Sequence, residues 1–396
     1  MPQKRYRIEA LALLTYVLFA FSWVAGSLMT GEIMASFGIE KISDATWATN
    51  AITIAKILGN FLAAWVLLRL GIRKAFLTAS ALIVAGGLGV FAGHYSLFVL
   101  SRLVMGLGGA MVLVYFNPIA VRYFTPGERS AINGLNTASF NVGALLAVLS
   151  ASFLLASFGS WERVILSLSV CSLGVLLLCV AELEDFPLAA GNAAQGPGAE
   201  YTMADGVRDP VNWLMPLTYS GLLFSYLSVF SLFPLIPGFA VPVDLLVAMV
   251  LATGLLGTAA GILLSRRLVR RLPILRCAGL FLTPSVGLMV YAENPFPACF
   301  AACATGFFIY LPLPAILTLA QELPNMTAKR VTVIFSMFWS IAYGCATIYM
   351  YTAGLIADAT GEPAMAAVFV IVCSATFFTG SFLLPETGKV SPDRRG

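Results

Sequence analysis

The chain has 396 residues, of which 59% are hydrophobic and 11% charged, with a net charge of +4. A soluble domain carries about 25% charged residues, so there are too few charges here to cover a water-facing surface. That excludes a soluble enzyme, a nucleic-acid binder and a disordered scaffold, and leaves a polytopic membrane protein.

A spanning helix needs about 20 mostly apolar residues. Twelve segments qualify, at approximately 8–30, 46–68, 74–92, 98–122, 131–155, 163–181, 211–236, 243–264, 274–292, 296–319, 332–355 and 364–385. The first follows a short basic stretch with Lys4, Arg5 and Arg7. It is long enough to span and shows no small-residue cleavage pattern, so it reads as a retained helix rather than a signal peptide. Tyr16, Phe19 and Trp23 share one of its faces.

The second segment carries Thr49, Thr53, Lys56 and Asn60 at helical spacing, a polar stripe expected to face a cavity rather than lipid. Lys56 lies about ten residues in, roughly 15 Å at 1.5 Å per residue, which is near the bilayer midplane. An ionised group there costs a few kcal/mol and is a functional-site candidate by default. The competing reading is a lysine that snorkels or loses its proton in a structural role.

The fourth segment holds a second cation, Arg102, followed on its face by Gly106, Gly109, Leu113 and Asn117. The small residues predict close helix packing, and Asn117-Pro118 is a polar site beside a kink. Arg102 has two readings, substrate contact and structural anchor. The fifth segment bears Asn133, Asn136, Thr137 and Asn141, with the inward face not readable.

In the second half, Tyr219, Tyr226 and Phe230 share a face of the seventh segment. The tenth offers Phe307 and Tyr310, and the eleventh Phe335, Trp339 and Tyr343. Such rings either clamp a substrate or simply pack helices. The acids Glu9, Glu32, Asp244, Glu322 and Asp358 fall near segment ends, leaving no carboxylate at mid-span.

Lysine and arginine placement sets orientation. With the N-terminus in the cytoplasm, 19 of the 23 basic residues fall at cytoplasmic ends and loops. Only Lys41 and Arg163 fall outside, and Lys56 and Arg102 lie within spans. This split fits twelve helices with both termini cytoplasmic.

The longest connection, 182–210, separates six spans from six and reads as a flexible cytoplasmic linker, rich in glycine near Gly191, Gly196 and Gly198. It divides the chain into six-helix bundles at 1–181 and 211–396. The halves echo each other. At an offset of 198, Gly59 aligns with Gly257, Arg69 with Arg267, Leu70 with Leu268 and Arg73 with Arg271. Internal repeats are a common transporter design. The seven cysteines lie in apolar runs without a CxxC pair and read as free, packed thiols. His94 is the sole histidine, so neither a metal centre nor a cofactor is expected.

Several motifs resemble the major facilitator superfamily. Ala64 to Lys74, AWVLLRLGIRK, is similar to its corner motif at Arg69, Gly71, Arg73 and Lys74, with Leu68 in place of the usual acid. Arg102 and Gly106 match its fourth-helix pattern, Gly159 to Arg163 its G-W-R motif, and Gly354 to Gly361 the end of its eleventh helix. Pro312 to Pro324 with Lys329-Arg330 resembles cyanate- and nitroimidazole-type porters. Pro126 to Arg129 also occurs in nitrate-type porters.

The resemblance implies an all-α fold of two pseudo-symmetric six-helix bundles, a monomer, and alternating access. It implies that helices one, four, seven and ten line the cavity, with two, five, eight and eleven beside them. The combined expectation is a secondary transporter, not an enzyme, for a small inorganic or organic anion. Lys56, Asn60, Thr53, Tyr16, Trp23, Arg102, Asn117, Tyr219, Tyr310, Trp339 and Tyr343 are the candidate substrate-binding residues. Arg69, Gly71, Arg73, Lys74, Arg122, Arg129 and Gly106 are the candidate conformational residues. Coupling to protons or to a counter-anion stays open, and the compact loops fit a bacterial inner membrane. The alternative is an exporter of drugs or metabolites, which suits the aromatic inventory.

Overall fold

In the computed structural model the described residues are 2–124, 126–185, 203–268, 270–324 and 328–387. They form helices and connections with no strand among them. Twelve helices or helix segments are long and apolar enough to cross a membrane.

The chain divides into two compact units, Met1–Asn192 and Ala193–Gly396. In the first unit the helices are α1 (Pro2–Leu28), α2 (Thr30–Phe37), α3 (Ile42–Ala45), α4 (Trp47–Ala85), α5 (Tyr95–Tyr123), α6 (Pro126–Phe158) and α7 (Trp161–Glu182). In the second they are α8 (Met203–Arg208), α9 (Val211–Ser231), α10 (Val243–Arg267), α11 (Leu272–Tyr291), α12 (Pro295–Tyr310), α13 (Leu313–Gln321), α14 (Ala328–Thr360) and α15 (Pro363–Gly380).

Local chemistry explains where the apolar runs are cut. Helix α4 contains two spans because Gly71 breaks it at φ 76°, a left-handed value that favours glycine. The tenth span is α12 and α13, parted at Leu311-Pro312. Pro314 follows in the first turn of α13, where a missing N–H costs nothing. Two expectations are corrected. The first span ends at Leu28, and two short helices, α2 and α3, fill the following connection. Aromatic contacts hold that connection: Phe37 packs on Tyr95 and Trp161 at 5.8 and 6.0 Å. The supposed linker 182–210 also contains the helix α8, whose Val207 carbonyl accepts from Trp213 Nε1 at 2.8 Å. Glycines 191, 196 and 198 lie outside the described residues.

Helix α1 packs against α6, α7 and α5 in the first unit, and α9 against α14 and α15 in the second. Helix α9 is buried along most of its length. Large apolar side chains such as Phe91, Leu149, Phe153, Phe296 and Phe300 are exposed. Water would penalise such a surface, whereas hydrocarbon accommodates it. The seven cysteines are free.

Candidate functional site

Lys56 sits on α4 at 7% exposure, on the stripe with buried Thr49 and Thr53 and half-buried Asn60. Its ammonium lies over two ring faces, 4.6 Å from the Trp23 centroid on α1 and 5.0 Å from the Phe140 centroid on α6. Aromatic faces attract a cation through their quadrupole without cancelling its charge. The rings are themselves fixed. Trp23 meets Phe140 edge-on at 5.4 Å and Phe19 at 5.9 Å, and Tyr16 stacks on Phe19 at 5.5 Å. Tyr16 also contacts Phe140 at 6.1 Å. Thr53 donates its hydroxyl to the Asn50 carbonyl at 2.9 Å, an intrahelical bond that fixes the rotamer.

The structure brings Tyr16, Trp23, Thr53 and Lys56 together and adds Phe140, which sequence reading missed. The polar residues of the fifth span gave no face. Asn136 and Asn141 are buried, and the side chains of Asn133 and Thr137 lie outside the described residues. Phe140 becomes legible once Asn136, one turn earlier, is known to point inward.

Arg102 resolves differently. It is 2% exposed, donating from Nη1 to the Ser22 carbonyl at 3.0 Å and from Nη2 to the Trp23 carbonyl at 2.8 Å. These bonds tie α5 to the C-terminal part of α1 and fix the backbone of Trp23. Gly106, one turn on, allows the close packing: a Cβ there would stand 2.7 Å from that of Ala55 on α4. Asn117 is exposed, next to Phe116, which meets Tyr16 edge-on at 5.6 Å.

Of the conformational candidates, Arg69 lies over the Trp65 ring at 4.7 Å, and Arg73 donates to the Val180 carbonyl on α7 at 2.9 Å. Lys74 and Arg122 are exposed. The side chains of Leu68 and Arg129 lie outside the described residues. Gly71 carries the Asp185 carboxylate above it, with a notional Cβ 2.7 Å from Oδ2.

The second unit presents an aromatic cluster without a buried cation among its described residues. Tyr219 contacts Phe338 at 5.1 Å and Trp339 edge-on at 5.9 Å, and Trp339 meets Tyr343 at 6.0 Å. Tyr226 bridges Tyr310 at 5.6 Å and Phe230 at 5.3 Å. Three of the second-half candidates, Tyr219 on α9 and Trp339 and Tyr343 on α14, are linked by ring contacts, and Tyr310 on α12 belongs to a second group with Tyr226 and Phe230. Among the described residues no group of three metal-ligating side chains is gathered.

The sequence matches the Major Facilitator Superfamily profile over residues 11–347. An uncharacterised protein of Campylobacter jejuni subsp. jejuni is 26% identical over 232 residues, 58% of this chain and 70% of that one. A D-xylose–proton symporter superposes with a TM-score of 0.77 at 16% identity, covering 98% of this chain and 99% of that one. A bacterial homologue of the human lysosomal transporter Spinster gives 0.76 at 15% identity, with the same coverage of 98% and 99%. The fucose–proton symporter of E. coli gives 0.62 at 16% identity, covering 95% and 98%. At these identities the structures share the fold, and the profile supplies the kinship. The chain belongs to the Major Facilitator Superfamily, as a multi-pass membrane protein of all-α transporter fold.

Proposed function

We propose that the protein is a secondary active transporter of a small inorganic or organic anion, working by alternating access in the cell inner membrane with both termini cytoplasmic. One observation carries the substrate class. The Lys56 ammonium is buried between the ring faces of Trp23 and Phe140. The rings orient the ammonium and carry no formal negative charge of their own. An anion arriving there gains a charge-assisted hydrogen bond in a low-dielectric setting, roughly twice as strong as a neutral one. Thr53 and Asn60 supply polar groups on the same helix. Arg102 positions Trp23 through its carbonyl and is assigned no substrate contact.

A second reading, export of drugs or metabolites, is favoured by two ring groups, Tyr219–Trp339–Tyr343 and Tyr226–Tyr310, which offer ring faces and hydroxyls to an amphipathic solute. The two readings separate in one experiment. The purified protein and Lys56→Ala are melted against nitrate, cyanate, acetate and a set of neutral aromatic drugs. A ligand that binds only the folded state raises its stability. Stabilisation by an anion, lost in Lys56→Ala, is expected. Stabilisation by the drugs alone, equal in both proteins, would replace the anion reading with export.

A further inference from the structure

Glu9 reads from sequence as an end residue, the second of the first span. The structure places it at 3% exposure on α1, and neither carboxylate oxygen accepts a hydrogen bond of normal geometry. Facing it from α6 is Asn136, at 5% exposure, whose amide lies close enough to act on the carboxyl and makes no hydrogen bond of normal geometry to it or to any other described group. A native structure leaves few buried polar groups unsatisfied, and here two stand side by side. An ionised carboxylate is costly in such a place unless donors or a cation reach it.

The surrounding charges are engaged elsewhere. On α1 itself, Lys4 pairs with Glu184, Arg7 donates to Glu182 at 2.9 Å, and the Arg5 guanidinium lies over the Tyr6 and Phe124 rings. On α4, Arg73 donates to the Val180 carbonyl. Helix α7 also brings Cys179, which is buried. Helix α5 brings Arg122, which is exposed, and Tyr123.

Position along α1 adds a second argument. Glu9, Tyr16 and Trp23 recur every seven residues and so share one stripe. On α6, Asn136 lies one turn from Phe140, the ring that meets both Tyr16 and Trp23. The Glu9–Asn136 contact is therefore the inner end of the same α1–α6 interface whose other end holds Lys56. Glu9 and Trp23 are about 21 Å apart along the helix at 1.5 Å per residue. Glu9 is thus too far to neutralise Lys56, yet any shift of α1 against α6 alters both environments.

An amide suits either protonation state: its N–H₂ donates to a carboxylate, and its oxygen accepts from a carboxylic acid. We propose that Glu9, together with Asn136, is an exchangeable proton site that loads and releases one proton as α1 and α6 rearrange. It supplies the coupling group for which no mid-span carboxylate is present. The inference rests on the secondary-transport reading, but its test uses no transported solute.

The test is infrared pH-difference spectroscopy on the full chain reconstituted in lipid. A protonated carboxyl that lacks hydrogen-bond donors absorbs at higher carbonyl frequency than solvated acids do. Wild type is expected to show such a band on acidification and Glu9→Gln to lack it. Asn136→Leu keeps the carboxyl and removes its amide neighbour, so the band is expected to persist at a shifted frequency and titration midpoint. Identical difference spectra for wild type and Glu9→Gln would overturn the assignment. Should Glu9→Gln fail to fold, an Asn136→Leu spectrum superimposable on wild type would overturn it equally. Neither result bears on anion binding at Lys56, so the two readings fail separately.

Discussion

The two units contain the same corner, built with different partners. In the first, the chain turns at Gly71 between the spans of α4. The Asp185 carboxylate lies over that glycine, and Arg73 donates to the Val180 backbone carbonyl. In the second, the chain turns between α10 and α11. The Glu386 carboxylate accepts from the backbone N–H of Arg271 and Leu272 at 2.8 and 3.2 Å. Arg271, the repeat partner of Arg73, grips Glu322 bidentately at 3.1 and 2.6 Å, and Thr387 donates to the same carboxylate at 3.2 Å. Each corner thus has a carboxylate from beyond its unit's last span. In the second unit it meets the exposed N–H groups of a helix start, where the dipole favours negative charge. The arginine differs in kind: Arg73 donates to a backbone carbonyl and leaves its Nε without a bond, whereas Arg271 meets a charge. The turn and the cation recur in both units, but the counter-charge does not.

The largest effect is expected at Arg271. Its removal leaves Glu322 without its partner and frees the Ser265 and Leu268 carbonyls that Arg271 also serves. Hydrogen bonds to charged groups are worth about 1.5–3 kcal/mol, so Arg271→Ala should cost about 2 kcal/mol, read as a lower melting temperature. Arg73→Ala should cost less than half as much. Equal losses would refute the distinction between the corners.

The same contrast has a pH signature. The Arg271 hydrogen bonds hold the Glu322 carboxyl below the usual carboxylate range. A depressed carboxyl contributes stability that is present above its unfolded value, about 4.3. That stability is lost as pH falls through the lower folded value. Melting temperature should therefore drop on acidification below about pH 4, and Glu322→Gln should flatten that drop. A wild-type slope retained in the variant would place the acid sensitivity elsewhere.

Gly71→Ala comes next. At φ 76° and ψ 167° the backbone lies in a region essentially confined to glycine, which costs another residue about 1–3 kcal/mol, and the new methyl would press on Asp185. Repeating the substitution in Asp185→Ala separates the two causes. Relief of the whole penalty would show that the carboxylate, not the backbone, demands glycine there.

What the sequence could reveal follows from the range of the physics involved. Spans are local, because twenty apolar residues suffice to identify one, and all twelve were readable. Lys56 was readable for the same reason, as a charge within an apolar run. Its ring partner Phe140 was not, because rotation of α6 about its axis is set by packing against α1. Arg102 showed its presence but not its role, since the carbonyls of Ser22 and Trp23 leave no sequence mark. Glu9 was misleading: one residue from a span end looks wet, and only the side of α1 covered by α6 decides otherwise. Asp185 and Glu386 lie beyond the spans, where hydropathy is silent.

The smallest effects concern two ion pairs of equal length. Arg7–Glu182 in the first unit and Arg330–Asp209 in the second both measure 2.9 Å. Distance alone predicts equal worth. Exposure does not: the side chains are 60% and 28% exposed in the first pair and 18% and 20% in the second. Solvent screens the first, and the more exposed Arg7 has more rotamer freedom to lose when it is held. Arg330 is also anchored by a second bond to the Pro324 carbonyl at 2.6 Å. Double-mutant cycles should therefore give a coupling of about 1 kcal/mol for Arg330–Asp209 and about 0.3 kcal/mol for Arg7–Glu182. Raising salt should erase the smaller value first, because exposed charges are the better screened. A larger coupling at Arg7–Glu182 would mean that desolvation at Arg330–Asp209 outweighs its attraction.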